Sequence, residues 1–496
     1  METYFSIKPL LAVLVSLIAV VLIVIPNQRP NVRESWTIMA AIAKCAIVLS
    51  MLPSVLQGNY PAITLLTISP GISLALKVDS LGILFALSAS VLWILTSFFS
   101  IGYVRGVPEH KQTRYFASFA VCLSATMGIA FAANLLTLVI FYEILTIATY
   151  PLVIHKETPE AISAGRKYLV YLLTGGTFLL FALALTYQLS GSVDFRAGGI
   201  IPEQVSKSSV ILLSILFLLS FGFKSAIMPL HSWLPTAMVA PTPVSALLHA
   251  VAVVKAGVFG FARAIGFIIG PQLLHDSGAS GYLAGLTAAT IIIASLIALR
   301  QDNLKMRLAY STVGHLSYIV LGITMLSASG WTGGLLHMVN HAVMKITLFF
   351  CAGAIYVRTN CKNVSEMNGI GRQMPITMGA FALVSIGLAG MPPVNGFISK
   401  WYLVQGALDV GQMALVATFL LSGVLNAGYF FSIVVRAFFF RSDKFTKFGE
   451  ASPLMVIPLV LTAIFALWLG IFPNQFPNLF QLAARVASNV LGGGGL

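Results

Sequence analysis

The sequence contains few charged residues and very few acids. Charged side chains make up only 9% of its 496 residues, and 15 aspartates and glutamates face 29 lysines and arginines. A soluble globular protein has about 25% charged residues. Because 58% of the chain is hydrophobic, this composition excludes a soluble domain and predicts an all-α polytopic membrane protein.

The usual signatures of redox, metal and nucleotide chemistry are missing as well. The four cysteines show no CxxC or Cys/His spacing, so no zinc or iron–sulfur site is predicted, and no glycine-rich dinucleotide loop or dense carboxylate site is found. The formal net charge is +14, but the basic residues form no run or aromatic-interleaved patch, so nucleic acid is not a predicted partner. We expect no cofactor and no metal. The cysteines, expected to be reduced, are Cys45, Cys122, Cys351 and Cys361.

Long apolar runs dominate the chain instead. A window of about 20 residues predicts about fourteen membrane-spanning helices. Between the second and third, Ala62–Val78 contains two apolar runs about a central Ser-Pro-Gly, which predicts a β-hairpin outside the bilayer. The predicted limits are 8–26, 36–56, 79–103, 115–134, 135–154, 166–189, 208–229, 243–269, 281–299, 304–326, 331–357, 375–407, 411–439 and 453–472.

Lysine and arginine are concentrated in the loops that follow odd-numbered spans. By the positive-inside rule these loops are predicted to be cytoplasmic, which places both termini outside. The basic residues concerned are Arg29, Arg33, Arg105, Lys111, Arg114, Lys156, Arg166, Lys167, Arg300, Lys305, Arg307, Arg358, Lys362, Arg372, Arg436, Arg441, Lys444 and Lys447.

Prolines interrupt two of the predicted spans. Pro229 and Pro235 lie in or just after the seventh, and Pro392 and Pro393 lie in the twelfth. Proline has no N–H, and unpaired backbone at bilayer depth is tolerated only where it is buried in protein or lines a wet cavity. Since the two spans are five apart, a five-span repeat has to be inverted, and matching breaks in inverted halves point to a transport path.

This repeat suggests a division of the chain into four parts. They are 1–114 with three helices and the hairpin, the repeats 115–269 and 281–439, and 440–496 with the last helix and an amphipathic tail.

Single charges lie inside several apolar spans. Glu143 is the only acid between Leu135 and Ile154. A charge at this depth costs several kcal/mol, so it normally has a partner and a function. Together with the buried amines, Glu143 predicts a path for charge through the membrane. The lysines in comparable settings are Lys224, Lys255, Lys345 and Lys400.

Histidines accompany these lysines. His337, His341 and Lys345 follow one another at steps of four, within about 80° on one helix face, which predicts a proton relay. His249 precedes Lys255 by six residues, about 120° away on an ideal helix, so it need not share the same face.

Three further residues have two interpretations each. Asp79 is either functional or a favourable acid at a helix start. His315 is either a relay member or an ordinary hydrogen-bonded residue. Lys44, about two turns inside the second span, is expected to extend its ammonium to the cytoplasmic surface.

Four segments resemble one known family. They are FYEILTIATYPLV, FGFKSAIMPLHSWLPTAMVAPTPVSALLHAVAVVKAG, LKMRLAYSTVGHLSY and HMVNHAVMKITLFFCAGAI. They are similar to the antiporter-like subunits shared by Mrp-type Na+/H+ antiporters, respiratory complex I and energy-converting membrane-bound hydrogenases. The resemblance implies fourteen helices, two inverted five-helix repeats and broken seventh and twelfth helices.

The resemblance also implies roles for individual residues. The family's fifth-helix glutamate and its seventh- and eighth-helix lysines match Glu143, Lys224 and Lys255. Its eleventh-helix His-x-x-x-His-x-x-x-Lys pattern matches His337 to Lys345. At the charged position of the twelfth helix this chain has Lys400, whereas the M-type subunit of complex I is expected to have glutamate, which argues against the M type.

Within the family, two segments point to different members. GIGRQMPITMGAFALVSIGLAGMPPVNGFISKWYL is most like the D-type Mrp subunit, but PTPVSALLHA is closer to the L-type subunit of complex I and to the A-type Mrp subunit. The short tail after the last predicted span is expected to exclude both the long lateral helix of the L type and the large extension of the A-type Mrp subunit. The D-type Mrp subunit is therefore the expected identity.

The expected function is ion translocation without covalent chemistry. At a separation of about 7 Å and an effective dielectric near 20, the charges of Glu143 and Lys224 would attract each other by roughly 2.4 kcal/mol. This pair is expected to act as an electrostatic gate on the proton path. A proton is expected to enter from the cytoplasmic side near Lys224 and Lys255, pass along the eleventh-helix relay and leave on the outer side near Lys400. In the antiporters the proton would run inward along the same groups and drive Na+ out.

The expected setting is the cell membrane of a prokaryote, in the lipid bilayer and in complex with other membrane subunits. Two alternatives stay open. One is a proton-pumping subunit of a complex I-type or hydrogenase complex, whose redox centres lie in other subunits. The other is a scaffold subunit that conducts no ions.

Overall fold

The structure is a computed structural model that describes residues 2–26, 29–107 and 109–492. The first part of the chain contains β1 (Glu2–Phe5), α1 (Lys8–Val24), α2 (Pro30–Leu56), β2 (Asn59–Ser69), β3 (Ile72–Lys77), α3 (Ser80–Gly106), α4 (Gln112–Ala130), α5 (Leu135–Val153), α6 (Pro159–Ser190) and α7 (Lys207–Lys224). The central part contains α8 (Trp233–Thr236), α9 (Thr242–Ala250), α10 (Val253–Arg263), α11 (Pro271–Asp276), α12 (Ala279–Arg300), α13 (Leu304–Thr324) and α14 (Ala328–Thr359). The last part contains α15 (Ile370–Gln373), α16 (Pro375–Ala389), α17 (Gly396–Asp409), α18 (Met413–Phe439), α19 (Pro453–Ile471) and α20 (Leu479–Leu491).

The described residues contain ten helices that are long and apolar enough to cross a membrane. Three shorter apolar helices, α1, α16 and α20, accompany them. The chain is therefore a multi-pass membrane protein of predominantly helical fold, as its composition predicts. The count of fourteen spans remains a prediction. The ten segments are Pro30–Leu56, Ser80–Gly106, Leu135–Val153, Pro159–Ser190, Lys207–Lys224, Thr242–Ile269, Ala279–Arg300, Ala328–Thr359, Met413–Phe439 and Pro453–Ile471.

A small sheet covers one end of the helices. β2 and β3 pair in antiparallel fashion about Gly71, whose φ of 77° suits the turn, and they form the hairpin expected at Ala62–Val78. β1 adds a third strand, parallel to β2, with Glu2 opposite Asn59. A four-residue strand directly before an apolar helix has no alternating pattern of its own, so β1 was not predicted. We call this end of the molecule the sheet side.

The opposite end, where α2 begins and α3 ends, is rich in ion pairs, and we call it the basic side. Arg105 pairs with Glu34. Lys111 and Arg114 both donate to the carboxylate of Glu157, and these two hydrogen-bonded cations hold the pKa of Glu157 at about 2. The cations of this side are among those that the charge pattern assigns to the cytoplasm.

The helical path is interrupted at three places. α7 ends at Lys224 and α8 begins only at Trp233, and α16 ends at Ala389 while α17 begins at Gly396. Prolines that cannot donate a backbone hydrogen bond lie in both gaps. The third interruption was not predicted: within the span Thr242–Ile269, which the sequence predicts at 243–269, α9 ends at Ala250 and α10 begins at Val253. Neither proline nor glycine occurs in this gap, so the sequence carried no signal for it.

α14 occupies the centre of the molecule. Every residue from Gly330 to Ile355 is buried, and the helix packs against α9, α13, α16, α17, α19 and α20. The face that carries His337, His341 and Lys345 is therefore enclosed by other helices of the same chain.

Candidate functional site

The first charged pair lies between α5 and α7. Lys224, the last residue of α7, is buried; its ammonium donates to the backbone oxygen of Tyr142 at 2.7 Å and lies 3.2 Å from the centre of the Tyr142 ring. Glu143 follows Tyr142 in α5 and attracts Lys224 electrostatically. Within the described part of the chain, no cationic nitrogen lies within 4.0 Å of the Glu143 carboxylate. The two charges therefore interact across a gap rather than through a direct contact.

A glycine on α6 makes room for Glu143. A Cβ atom added at Gly176 would overlap the Glu143 carboxylate. Oε1 of this carboxylate is buried and has no hydrogen-bond partner. An unpaired buried acceptor is costly and normally marks a site where a proton, a cation or water is received.

A lysine and a histidine meet between α10 and α14. Nζ of Lys255 lies 2.9 Å from Nδ1 of His341, and both side chains are buried. The ring of His341 stacks on His315 of α13, with 5.2 Å between the ring centres. Lys255 and His341 are therefore adjacent in space although 86 residues separate them in the chain.

His315 continues this row toward α17. Its Nδ1 lies 3.0 Å from Nε2 of His337, and Nδ1 of His337 lies 2.9 Å from Oγ of Ser399. All three side chains are buried. Because each imidazole has two nitrogens that can exchange donor and acceptor roles, such a row can pass a proton from one ring to the next.

Asn426 of α18 connects three branches. Its side-chain amide lies 3.4 Å from Nε2 of His315. With its oxygen directed at Lys400 of α17, the amide accepts from Lys400 Nζ at 3.2 Å and donates to the Tyr429 hydroxyl at 2.7 Å. Lys400 also donates to the backbone oxygen of Leu388, at 2.6 Å.

The third branch leads to Lys345. The Tyr429 hydroxyl donates to Oγ of Ser311 at 2.9 Å, and Nζ of Lys345 donates to the same oxygen at 2.8 Å. Lys345 thus reaches the other groups through Ser311, Tyr429 and Asn426, although it shares a helix with His337 and His341. We call the connected set the buried polar row; its members are Lys255, His341, His315, His337, Ser399, Asn426, Lys400, Tyr429, Ser311 and Lys345.

His249 stands outside this row. It is fully buried, neither ring nitrogen has a hydrogen-bond partner, and its ring packs against Phe349 with 4.8 Å between centres. The interruption between α9 and α10 separates it from Lys255. The positive charges of Lys345 and Lys305 both act electrostatically on His249.

Asp79 has a partner that the sequence did not reveal. It caps α3 by accepting from Gly82 N at 2.8 Å, and it pairs with Arg263 of α10, whose Nη2 lies 2.8 Å from Oδ1. Both interpretations of Asp79 thus have a structural basis: a helix cap and a buried ion pair near the sheet side. It does not touch the buried polar row.

The expectation for Lys44 was wrong. The side chain is fully buried instead of reaching the surface. Its ammonium donates to the backbone oxygen of Leu123 at 2.9 Å and lies 4.8 Å from the centre of the Trp93 ring. The physical reason is that α1, α3 and α4 surround this part of α2.

One group of residues has the chemistry of metal ligands. Ligand atoms of Glu109, His110 and His155 all lie within 4.8 Å of one another on the basic side. Burial, with a smaller contribution from Arg114, lowers the pKa of His155 to about 4. The positive charges of Arg114 and Lys156 beside this group disfavour a divalent cation. The four cysteines are free and buried.

Two comparisons of sequence identify relatives. The transmembrane family described as NADH:quinone oxidoreductase/Mrp antiporter matches residues 132–426. NADH-quinone oxidoreductase subunit N of Desulforudis audaxviator is 31% identical over 421 residues, which cover 80% of this chain and 83% of that protein. The A1 subunit of the Na(+)/H(+) antiporter of Staphylococcus aureus is 27% identical over 94% of this chain, and the match covers 61% of that longer protein.

The fold agrees with these relatives. A chain of the Mrp complex from Dietzia sp. DQ12-45-1b superposes with a TM-score of 0.85 at 21% identity, covering 98% of this chain and 97% of the other. The matched family segment, residues 132–426, contains every member of the buried polar row except Tyr429, which lies three residues beyond its end on α18. On these grounds the chain belongs to the NADH:quinone oxidoreductase/Mrp antiporter transmembrane family.

Proposed function

We propose that this chain is the proton-conducting subunit of a multisubunit ion-translocating membrane complex. As an antiporter-like subunit it works beside other membrane subunits. The observation that carries the proposal is the buried polar row, in which Lys255 contacts His341, His341 stacks on His315, and Asn426 joins His315 to Lys400. Bilayer helices do not retain such groups for packing alone, because each one costs free energy at this depth.

Each part of the site has a role in this proposal. Lys255 exchanges a proton with His341, and the imidazoles of His315 and His337 pass it on. Asn426 holds Lys400 within the same hydrogen-bonded set as His315, and Lys345 connects through Ser311 and Tyr429. Glu143 sets the charge on Lys224 from a short distance, which makes this pair a gate. Membrane potential contributes about 2.3 kcal/mol per charge per 100 mV, comparable to one such pair, so the field and the pair can compete.

The assembly that we assign first is an Mrp-type Na+/H+ antiporter, with this chain as its D-type subunit. The similarity to an Na(+)/H(+) antiporter protein over 94% of the chain supports this type of assembly, and the twelfth-helix segment around Lys400 supports the D type. The second candidate is a redox-driven complex of the complex I type, which the 31% identity to an NADH-quinone oxidoreductase protein supports. Proton flow along the row suits either assembly, with H+ as the transported ion and Na+ exchanged only in the first.

Purification of the native complex tests this proposal. An Mrp-type assembly would yield further membrane subunits only and, in proteoliposomes, Na+-dependent proton movement without an electron donor. Co-purification of iron–sulfur or flavin subunits would assign the chain to the second type. A complex whose ion transport is unaffected by substitutions along the row would instead make this chain a scaffold.

Lys400 offers a specific test of proton release. Arginine keeps its charge at every attainable pH and cannot give up a proton. We therefore expect Lys400→Arg and Lys400→Ala both to lower transport at least about tenfold in proteoliposomes, at normal levels of assembled complex. If Lys400→Arg transports at the wild-type rate while Lys400→Ala does not, Lys400 supplies fixed charge only.

The orientation in the membrane can be measured by cysteine labelling. In a variant without the four native cysteines, Arg166→Cys and Lys444→Cys should react with an impermeant maleimide only from the cytoplasm, as should a cysteine at Lys111. Thr67→Cys in the hairpin should react only from outside. Leu496, also expected outside, lies beyond the described residues. Labelling of Thr67→Cys from the cytoplasm would contradict the charge rule and remove the assignment of Lys400 to the outer exit.

A further inference from the structure

We propose that a cavity on the basic side binds a phosphate-type anion. The cavity has a volume of about 200 Å³ and lies between the end of α3, the start of α9, the start of α13 and the end of α14. Three lysines line it, Lys156, Lys305 and Lys362. None of them belongs to the buried polar row, and the proposed transport mechanism does not use them.

The charges around this cavity are unbalanced. Lys156 and Lys362 both lie close enough to Lys305 to repel its ammonium. Glu109 attracts Lys156 and Lys305, but in the described chain no carboxylate lies within 4.0 Å of any of the three ammonium groups. The lysines that line the cavity thus outnumber the Glu109 carboxylate that attracts them, which leaves an excess of positive charge. A phosphate monoester or diester carries the charge that would offset this excess.

The donors available inside the cavity suit phosphate. The Lys305 ammonium donates to the backbone oxygen of Ala240 at 2.6 Å. This bond uses one of its three N–H groups, so the others can donate to a ligand. Thr242 and Asn303 line the cavity with a hydroxyl and an amide, and Tyr103 and Tyr356 lie beside them. Charged donors to phosphate form hydrogen bonds about twice as strong as neutral ones.

One uncapped helix also begins at this cavity. Thr242 opens α9, which has no side-chain cap, whereas Asn303 caps α13 by accepting from Met306 N at 3.1 Å. A helix N-terminus favours an anion. The start of α9 therefore adds to the preference for an anion that the three lysines create.

The position of the cavity allows two sources of phosphate. It lies at the helix ends of the basic side, which the positive-inside rule places at the cytoplasmic leaflet. Anionic lipid headgroups are found in that leaflet. Inorganic phosphate carries the same chemistry. An anion bound there would offset the charge of Lys305, which acts electrostatically on His249. Because Lys345 also acts on His249, a bound anion would change the electrostatic potential next to Lys345. Binding itself does not depend on the proposed function.

Binding can be measured on the full chain in its purified complex. The probes are inorganic phosphate, by titration calorimetry, and nanodiscs of phosphatidylcholine with or without phosphatidylglycerol, by native mass spectrometry of the retained lipid. The test variant is Lys156→Gln with Lys362→Gln, two exposed side chains whose loss leaves the core intact. Arg441→Gln with Lys447→Gln removes the same charge from exposed positions of the same side, outside the cavity lining.

We expect the cavity variant to weaken binding of one probe at least about tenfold and the control variant to leave it unchanged. Retention of phosphatidylglycerol without phosphate binding would identify a lipid headgroup, and phosphate binding alone would identify the free anion. Equal losses in the two variants, or no binding of either probe by the wild-type complex, would overturn the proposal, since surface charge alone would then account for the attraction.

Discussion

Glu143→Gln should reduce ion transport to the protein-free background while the complex stays inserted and assembled. Glutamine has nearly the same shape as glutamate but carries no charge, so Lys224 loses the carboxylate that attracts it. The ammonium keeps its bond to the backbone oxygen of Tyr142, which is why assembly survives. The measurement is the initial rate of proton uptake in proteoliposomes, normalised to the amount of assembled complex.

A second variant displaces the carboxylate without removing it. Gly176→Ala places a methyl group where the Glu143 carboxylate now lies, and we expect transport to fall at least about tenfold. Gly285→Ala is the matched control, because a Cβ there meets no atom within 4 Å. Both substitutions replace a helical glycine by alanine, which stabilises the helix by about 0.5–1 kcal/mol. A difference in transport rate between the two variants therefore reports on the Glu143 site.

Together, Glu143→Gln and Gly176→Ala show which results would contradict the role of Glu143 in the gate. Wild-type transport by Glu143→Gln would mean that the charge on residue 143 plays no part. Slow transport by Glu143→Gln together with normal transport by Gly176→Ala would show that the charge is needed and that its position is not.

The charged positions of the site could be predicted because charge is rare in this sequence. A single acid such as Glu143, or a lysine such as Lys224, is conspicuous inside an apolar run, since it costs several kcal/mol in the bilayer. The structure buries Lys224, Lys255, Lys345 and Lys400, as expected. The separate expectation for Lys44, that its side chain extends to the cytoplasmic surface, was wrong, because exposure depends on which helices pack around it, and one helix alone does not reveal that.

The connections between these positions could not be predicted. The spacing of His337, His341 and Lys345 indicates a shared face, yet their contacts run through His315 and Ser311 of another helix. A periodic pattern describes one helix at a time, whereas these contacts depend on packing between helices.

Neutral polar residues were the main omission. Asn426, Tyr429 and Ser399 look like ordinary helix residues in sequence, because a buried amide or hydroxyl is common in membrane helices and often bonds to a neighbouring backbone. Arg263 was missed in the same way, since its partner Asp79 lies 184 residues away. No proline or glycine lies between α9 and α10, so the sequence did not indicate that the helix is divided there.

Asn426→Leu should lower proton transport at least about tenfold, because Asn426 is the point at which the branches of the buried polar row meet. Its amide faces His315, Lys400 and Tyr429 at 3.4, 3.2 and 2.7 Å. Leucine fills a similar volume but neither donates nor accepts, so Lys400 keeps only the backbone oxygen of Leu388. Loss of a buried hydrogen-bond partner costs about 1–3 kcal/mol of stability, which a large membrane bundle can tolerate.

Two companion variants separate conduction from stability. Ser295→Ala removes another buried hydroxyl of the core, which contacts Ser422 at 3.2 Å but none of the titratable groups, and should transport normally. Asn426→Asp retains an acceptor for Lys400 and should assemble as well as the wild type. The measurements are proton uptake in proteoliposomes and the yield of assembled complex. If Asn426→Leu assembles and transports at the wild-type rate, proton transfer between Lys400 and the histidines does not depend on this amide. The two halves of the buried polar row would then have to work as separate paths.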